Sequence, residues 1–256
     1  MAPKPIVFYD IPGNASPTKA WSPNCWKARY VLNIKGLPYR TVWLEYPDIE
    51  TEMKRLSVPP TGKRDGKDLY TLPAIIDPNT GAAIADSYAI AQYLEKQYPT
   101  SGTSPLFAPN TRALQLGFRD AFDQRVRQGS LVPLQLLANT QQMNESSGVF
   151  FRRTREKMYG MTLEELAPEG PKRAALIRGV LDGLHVVGTW FDEESSGPFV
   201  TGALPCFADL ELAANLLWLQ IVSGEDAGSP WASVIEADGG RWARYMKEFE
   251  KWEQVN

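Results

Sequence analysis

Short apolar runs and helix-period stripes alternate over the first hundred residues. Ile6-Val7-Phe8-Tyr9, bounded by Pro5 and the turn Asp10–Gly13, predicts a buried strand. Pro23 to Lys35 predicts a helix: Ser22 stands at the N-cap, Pro23 at the first helical position, Trp26, Tyr30 and Ile34 fall four apart, and Gly36 ends the run. Tyr39 to Leu44 is β-branched and aromatic, a second strand. A short helix from Asp48 to Leu56 follows, then a polar loop from Pro59 to Asp68. Leu72 to Asp77 and Ala82-Ala83-Ile84, joined by the turn Pro78-Asn79-Thr80-Gly81, predict a hairpin. Asp86 then caps a helix that reaches Tyr98 and stops at Pro99, with Ile90 and Leu94 on one face.

The order strand, helix, strand, short helix, hairpin, helix is the thioredoxin-type α/β arrangement. Its helical crossover requires the first two strands to be parallel. Thr100 to Pro109 is rich in Ser, Thr, Pro and Gly and reads as a linker. Beyond it the pattern is helical throughout. Arg112 to Leu137 is interrupted near Gly129 and Pro133, and Ser147 to Tyr159 continues it. Pro171 to Glu194 carries the stripe Ile177, Leu181, Leu184, Val187, Phe191, broken into by Gly179, Gly183 and Gly188. Phe207 to Val222 shows Phe207, Leu210, Ala214, Leu217 and Ile221 on one stripe, and Trp231 to Trp252 a last helix. The expected architecture is therefore a thioredoxin-like α/β domain over 1–99, a linker over 100–110 and an all-α domain over 111–256.

Composition narrows the chemistry. Of 256 residues 43% are hydrophobic and 22% charged, which argues against disorder. The single histidine, His185, and the two cysteines, Cys25 and Cys206, cannot supply a four-ligand Cys/His zinc site, so no metal is expected. They make no disulfide framework, and no nucleophile-elbow motif accompanies the histidine. A net charge of −3 gives no general attraction to nucleic acid. The absence of an apolar leader pattern or a long apolar run leads us to expect a cytoplasmic protein with no membrane partner.

Four features of the first domain point to one place. Ser22-Pro23-Asn24-Cys25 sits at a helix N-terminus, where free N–H groups and the helix dipole favour an anion such as a thiolate. A serine hydroxyl cannot form a mixed disulfide, but it can donate a hydrogen bond to a thiolate carried by another molecule. Leu72-Pro73 opens a central strand, where proline removes a ladder bond and Leu72 could pair with an extended peptide; the isomer of that bond is not legible in sequence. Asp86-Ser87 at a second helix start makes a carboxylate-binding corner. Lys63-Arg64 in the polar loop could meet a second carboxylate. A ligand with one thiol and a carboxylate at each end, extended along a strand edge, satisfies all four. Glutathione is such a ligand.

These motifs resemble a cytosolic glutathione transferase along the whole chain. Ser-Pro-Asn-Cys at 22–25, Thr-Leu-Pro-Ala-Ile at 71–75 and Ala-Asp-Ser-Tyr-Ala-Ile at 85–90 carry the resemblance in the first half. Phe-Ala-Asp-Leu at 207–210 is similar to the family's buried N-capping motif in the second. Ala-Trp-Ser-Pro-Asn-Cys-Trp-Lys at 20–27 looks like the fungal serine-type group related to bacterial lignin β-etherases. The resemblance implies that Ser22 stabilises the glutathione thiolate, that Leu72 and Pro73 meet its cysteinyl unit, and that Asp86 and Ser87 hold its γ-glutamyl end. Lys63 is the candidate for the glycyl carboxylate. It further implies a homodimer and a small hydrophobic, aromatic second ligand, beside which Trp21 and Trp26 could lie. Two alternatives stay open at this point: a glutathione-dependent thiol reductase using Cys25, and a non-catalytic carrier of aromatic ligands.

Overall fold

A computed structural model of the chain describes residues 3–14, 16, 18–99, 101–102, 105–193 and 197–256. Thr100, Thr103 and Ser104 of the expected linker, and Glu194 at the expected end of a helix, lie outside the described residues. The chain forms two compact units. The first is Met1–Pro105 with Met143–Phe150 and Trp252–Asn256; the second is Leu106–Gln142 with Phe151–Lys251.

In the first unit β1 (Ile6–Asp10), α1 (Pro23–Ile34) and β2 (Tyr39–Trp43) make the parallel βαβ crossover, with Ile6 opposite Tyr39 and Asp10 opposite Trp43. A 3₁₀ turn and α2 (Ile49–Arg55) follow. The segment expected to be a polar loop is instead a two-stranded hairpin, β3 (Gly62–Arg64) and β4 (Lys67–Leu69). Its side chains are exposed on both faces, so no hydrophobic alternation announces it. Then come β5 (Ala74–Asp77), β6 (Ala82–Ala85) and α3 (Ser87–Gln97). The sheet order is β2-β1-β5-β6, with β5 antiparallel to both neighbours.

One buried ion pair organises this unit. Arg29 of α1 and Asp10 at the end of β1 are 0% and 1% exposed and lie 2.7 Å apart. The guanidinium also donates to the Tyr39 and Thr41 hydroxyls, each at 3.1 Å, and lies over the rings of Phe8, Trp26, Tyr39 and Trp43. A buried charge is tolerated only when paired and hydrogen-bonded; here the pair is made and both terminal nitrogens of the guanidinium are bonded, while Nε is buried without an acceptor among the described residues. Residues 252–256 run along the same elements: Asn33 donates to the Trp252 and Gln254 carbonyls at 2.6 and 2.9 Å. Tyr39 donates to the Gln254 carbonyl, and the Thr41 N–H donates to the Asn256 carbonyl at 2.8 Å. Residues 143–150 are fastened likewise. Ser147 and Asn144 both donate to the Glu45 carboxylate, Ser147 accepts from the Tyr46 N–H, and Asn14 donates to the Met143 carbonyl.

The second unit contains α4 (Arg112–Phe122), α5 (Val132–Gln142), most of α6 (Glu145–Tyr159), α7 (Leu163–Leu166), α8 (Pro171–Asp192), α9 (Phe207–Ser223), α10 (Pro230–Glu236) and α11 (Arg241–Lys247). Between α4 and α5 the chain does not break at Gly129 and Pro133, as the pattern suggested. It widens into a π-helical stretch over Asp123–Leu131, and the wider turn carries the helix past a proline that cannot donate to the ladder. The glycines of α8 face this stretch. A Cβ on Gly183 would meet the Arg125 carbonyl at 2.7 Å, and one on Gly179 would collide with the Ser130 hydroxyl. These glycines permit a close approach of two helices.

α9 is not the one-sided helix its stripe suggested. Nearly all its residues are buried, Asp209, Glu211 and Asn215 included, as befits a central helix. Asp209 holds its start, accepting from the Cys206 and Val200 N–H groups, both at 2.9 Å, and from the Tyr245 hydroxyl at 3.0 Å. Burial raises its carboxyl to about 6 against the pull of those donors. The last expected helix, Trp231 to Trp252, is in fact broken. Asp238, Gly239 and Gly240 take φ of 49°, 62° and 80°, which ends α10 and starts α11 in a new direction. α7, which the hydrophobic pattern did not show, is set by a capping box in which Thr162 and Glu165 satisfy each other's N–H groups.

Candidate active site

The topology of the first unit brings three of the sequence features to one edge of the sheet. β1 ends there at Asp10, β5 begins there beside Tyr9, and β6 ends there, with Ala74 paired to Tyr9 on one side and Ala85 on the other. Leu72 and Pro73 therefore enter the sheet next to the end of β1, across a cis peptide bond. The Asp86 N–H donates to the Pro73 carbonyl at 3.2 Å, which joins the second and third features directly. Among the described residues no hydrogen bond is made to the Leu72 N–H or C=O.

Ser22 holds the N-cap position of α1, with extended backbone at φ −67° and ψ 122°, yet its hydroxyl makes no capping bond. Pro23 at the first helical position helps the helix start without that bond. The hydroxyl lies against Cys25 instead. That thiol is fully buried and is pushed well above its usual range, first by desolvation and then by the neighbouring Asp10 charge; the hydrogen bond from Ser22 pulls the other way. The Asp10 carboxylate thus touches the Cys25 thiol, the Arg29 guanidinium and, at 2.6 Å, the Ile11 N–H. This cluster fixes the end of β1 against the first turn of α1. Asp10 had been read only as part of a turn. Its pairing with a residue 19 positions on leaves no local signal.

At the start of α3 Asp86 adopts φ 80°, and its carboxylate accepts from the Tyr88 and Ala89 N–H groups, both at 3.0 Å. The expected carboxylate corner is therefore smaller than the sequence implied. Two of its N–H groups are already capped, leaving the single N–H and the hydroxyl of the buried Ser87. Lys63 stands apart on the exposed β3–β4 hairpin, opposite Asp68. The foot of that hairpin reaches the edge through the Thr61 and Thr71 hydroxyls, 2.9 Å apart. Trp21 and Trp26 are 1% and 2% exposed, so they pack in the core and present no aromatic surface, contrary to expectation. His185 lies in the second unit, its Nδ1 2.7 Å from Asp238.

A thioredoxin-like sheet with a serine hydroxyl at the first helix start that makes no capping bond, followed by a helical unit, defines a class of protein. Residues 113–252 match the model for "Glutathione S-transferase, C-terminal domain", and residues 21–97 that for "Glutathione S-transferase, N-terminal domain". The chain belongs to the glutathione S-transferase family. It superimposes with a TM-score of 0.93 on the glutathione S-transferase CsGST63524 of Ceriporiopsis subvermispora in complex with glutathione, 41% identical over 99% of both chains. The glutathione transferase GSTFuA3 from Phanerochaete chrysosporium gives 0.90 at 40% identity, again over 99% of both. The glutathione S-transferase-like protein ustS of Aspergillus flavus is 30% identical over 97% of this chain and 91% of its own length. Among the described residues no helix is long and apolar enough to cross a membrane.

Proposed function

We propose that this chain is a serine-type glutathione transferase in which the Ser22 hydroxyl stabilises the glutathione thiolate. The observation that carries the reading is the state of that hydroxyl. It stands at a helix start, makes no capping bond, and lies on the sheet edge that also holds the unpaired Leu72 backbone. Leu72 would pair with the cysteinyl unit beside Pro73. Ser87, through its hydroxyl and its own N–H, would take the γ-glutamyl carboxylate together with Asp86 on the ligand's amino group, and Lys63 on its hairpin the glycyl carboxylate. The thiol proton leaves to solvent, and the sulfur attacks an apolar, aromatic electrophile. An S–C bond forms as the leaving group departs with its electron pair. The protein positions the thiolate and lowers its energy by a preorganised donor.

The thiol-reductase alternative is disfavoured by burial, because a Cys25 thiol held well above its usual range supplies almost no thiolate. The reading takes the working form to be a cytoplasmic homodimer. A crystal structure with glutathione tests the site. Sulfur within hydrogen-bond distance of Ser22 Oγ, with the cysteinyl backbone on Leu72, is the expected result; sulfur on Cys25 or density elsewhere refutes it.

A further inference from the structure

Trp21 immediately precedes Ser22, and its core burial leaves it without the aromatic surface expected of it. Its place in the loop between β1 and α1 gives it another role. After Asp10 the chain leaves the sheet and folds back on itself. Pro12 and Ala20 form an isolated antiparallel bridge, and the Gly13 N–H donates to the Lys19 carbonyl at 2.8 Å. Lys19 turns the returning arm at φ 64°. Its N–H donates to the Ser16 carbonyl at 3.0 Å, and the buried Ser16 hydroxyl donates to the Ala20 carbonyl at 3.2 Å. On the outgoing arm Asn14 is fastened to the Met143 carbonyl at 3.0 Å.

The indole of Trp21 locks the two arms together. Its N–H donates to the Pro12 carbonyl at 3.3 Å. Its ring lies directly on Gly13, where a Cβ would stand 2.6 Å from Cδ1 of the ring. Only a residue without a side chain admits the ring there. The bonded indole thus ties the backbone just before Ser22 to the end of β1, where Asp10 is held by Arg29 and by the Ile11 N–H. On the other side the Ser22 carbonyl accepts from the Trp26 N–H at 2.9 Å. The serine is gripped through its backbone from both directions, while its hydroxyl makes no capping bond.

We propose that Trp21 is a positioning residue for the transferase reaction: its indole, seated on Gly13 and bonded to Pro12, sets where the Ser22 hydroxyl meets the glutathione sulfur. The proposal rests on the reading of Ser22 as the thiolate-stabilising group. A preorganised donor works only where the charge sits, and a misplacement of about 1 Å can cost about 100-fold. Loops are the mobile parts of a fold, so a donor at the end of one needs such a lock. Trp21 touches neither substrate and acts through Ser22 alone.

The test uses the full chain with Trp21→Phe, Ser22→Ala and the double variant Trp21→Phe/Ser22→Ala. Phenylalanine keeps an aromatic ring and removes the bond to Pro12. Two quantities are read: the pH titration of glutathione thiolate absorbance in the complex, and the glutathione Kd by calorimetry at about pH 5, where the thiol keeps its proton. Trp21→Phe is expected to move the titration alkaline by at least about half a unit, a threefold fall in thiolate fraction, with the Kd within twofold of the parent. In the Ser22→Ala background Trp21→Phe is expected to add no shift. An unmoved titration in Trp21→Phe, a Kd weakened more than twofold, or an equal shift added on top of Ser22→Ala would each overturn the proposal. A Ser22→Ala titration that does not move sinks the reading of Ser22 and this proposal with it, whereas a shift there without one in Trp21→Phe sinks this proposal alone. If Trp21→Phe fails to fold by circular dichroism, Gly13→Ala, which pushes a methyl against the ring, decides by the same titration: an alkaline shift supports the lock and no shift refutes it.

Discussion

Replacing Ser22 by alanine isolates the hydroxyl from the fold that carries it. Because that hydroxyl makes no capping bond, the change forgoes little of the ~1 kcal/mol that loss of an N-cap usually costs. On the proposed function it removes one charge-assisted hydrogen bond to the glutathione sulfur, roughly 1.5–3 kcal/mol. At about 1.36 kcal/mol per unit, the bound thiol should rise by about 1–2 units. Below the thiol pKa the thiolate fraction then falls about 10–100-fold, and kcat/KM with it. The assay is a pH titration of thiolate ultraviolet absorbance in the glutathione complex, paired with the pH profile of kcat/KM. Both curves should shift alkaline by the same amount, and activity should recover at high pH. Lost activity with an unmoved thiol titration would refute thiolate stabilisation by Ser22. A melting point lowered in proportion to the activity would show that the serine acts through the fold.

Other positions test other parts of the account. Cys25→Ser should retain transferase activity; loss of turnover with Ser22→Ala still active would reinstate the thiol-reductase reading. Asp10→Ala leaves Arg29 buried without its partner and should cost about 3–5 kcal/mol by denaturant unfolding, while adding Arg29→Met should recover much of it. Asp209 makes stability depend on pH. Its folded carboxyl, near 6, holds its proton more tightly than an unfolded aspartate near 3.9, so its contribution is full below that lower value and lost as pH rises through about 6. That amounts to about 3 kcal/mol, and Asp209→Asn should flatten the slope of stability between about pH 4 and 6. Gly183→Ala should cost about 1–3 kcal/mol, since its Cβ would meet the Arg125 backbone. Gly117→Ala in α4, where a Cβ meets nothing within 4 Å, should be neutral or gain up to about 1 kcal/mol by thermal melting.

What the sequence disclosed follows a physical line. Elements with one buried face were legible, because burial imposes a period: β1, α1, β2 and α3 appear within a residue or two of their expected bounds. The β3–β4 hairpin was not, since neither face is covered. α9 was read as a helix but not as the centre of its unit, because a helix buried all round blurs its own stripe. The glycines of α8 interrupt a helix pattern, and only a partner 58 residues earlier in the chain shows that Gly183 makes room for Arg125 and Val126. Of the proposed site, Ser22, Leu72, Pro73, Asp86 and Ser87 can be picked out in the sequence because each sits at an element boundary, where local rules apply. The Asp10–Arg29 pair and the turn of the Ser22 hydroxyl toward Cys25 are not, because both depend on which other groups arrive beside them. The packing of Phe191 on Trp242 shares that opacity: the two rings meet only after the reversal at Asp238–Gly240.

The assembly of the first unit from separated pieces has a consequence for how the chain comes into being. Asn33 waits for carbonyls 219 and 221 positions downstream, and Thr41 for one 215 downstream. During synthesis, the ribosome releases the βαβ crossover and the hairpin long before these partners exist. The edge of β2 must therefore stay open, hydrated or guarded, while the whole helical unit is made. Exposed strand edges are where nascent chains associate wrongly. Residues 252–256 thus act as a closing stitch, and the yield of native protein should be decided late, after the helical unit has been made, rather than when the thioredoxin-like half has emerged.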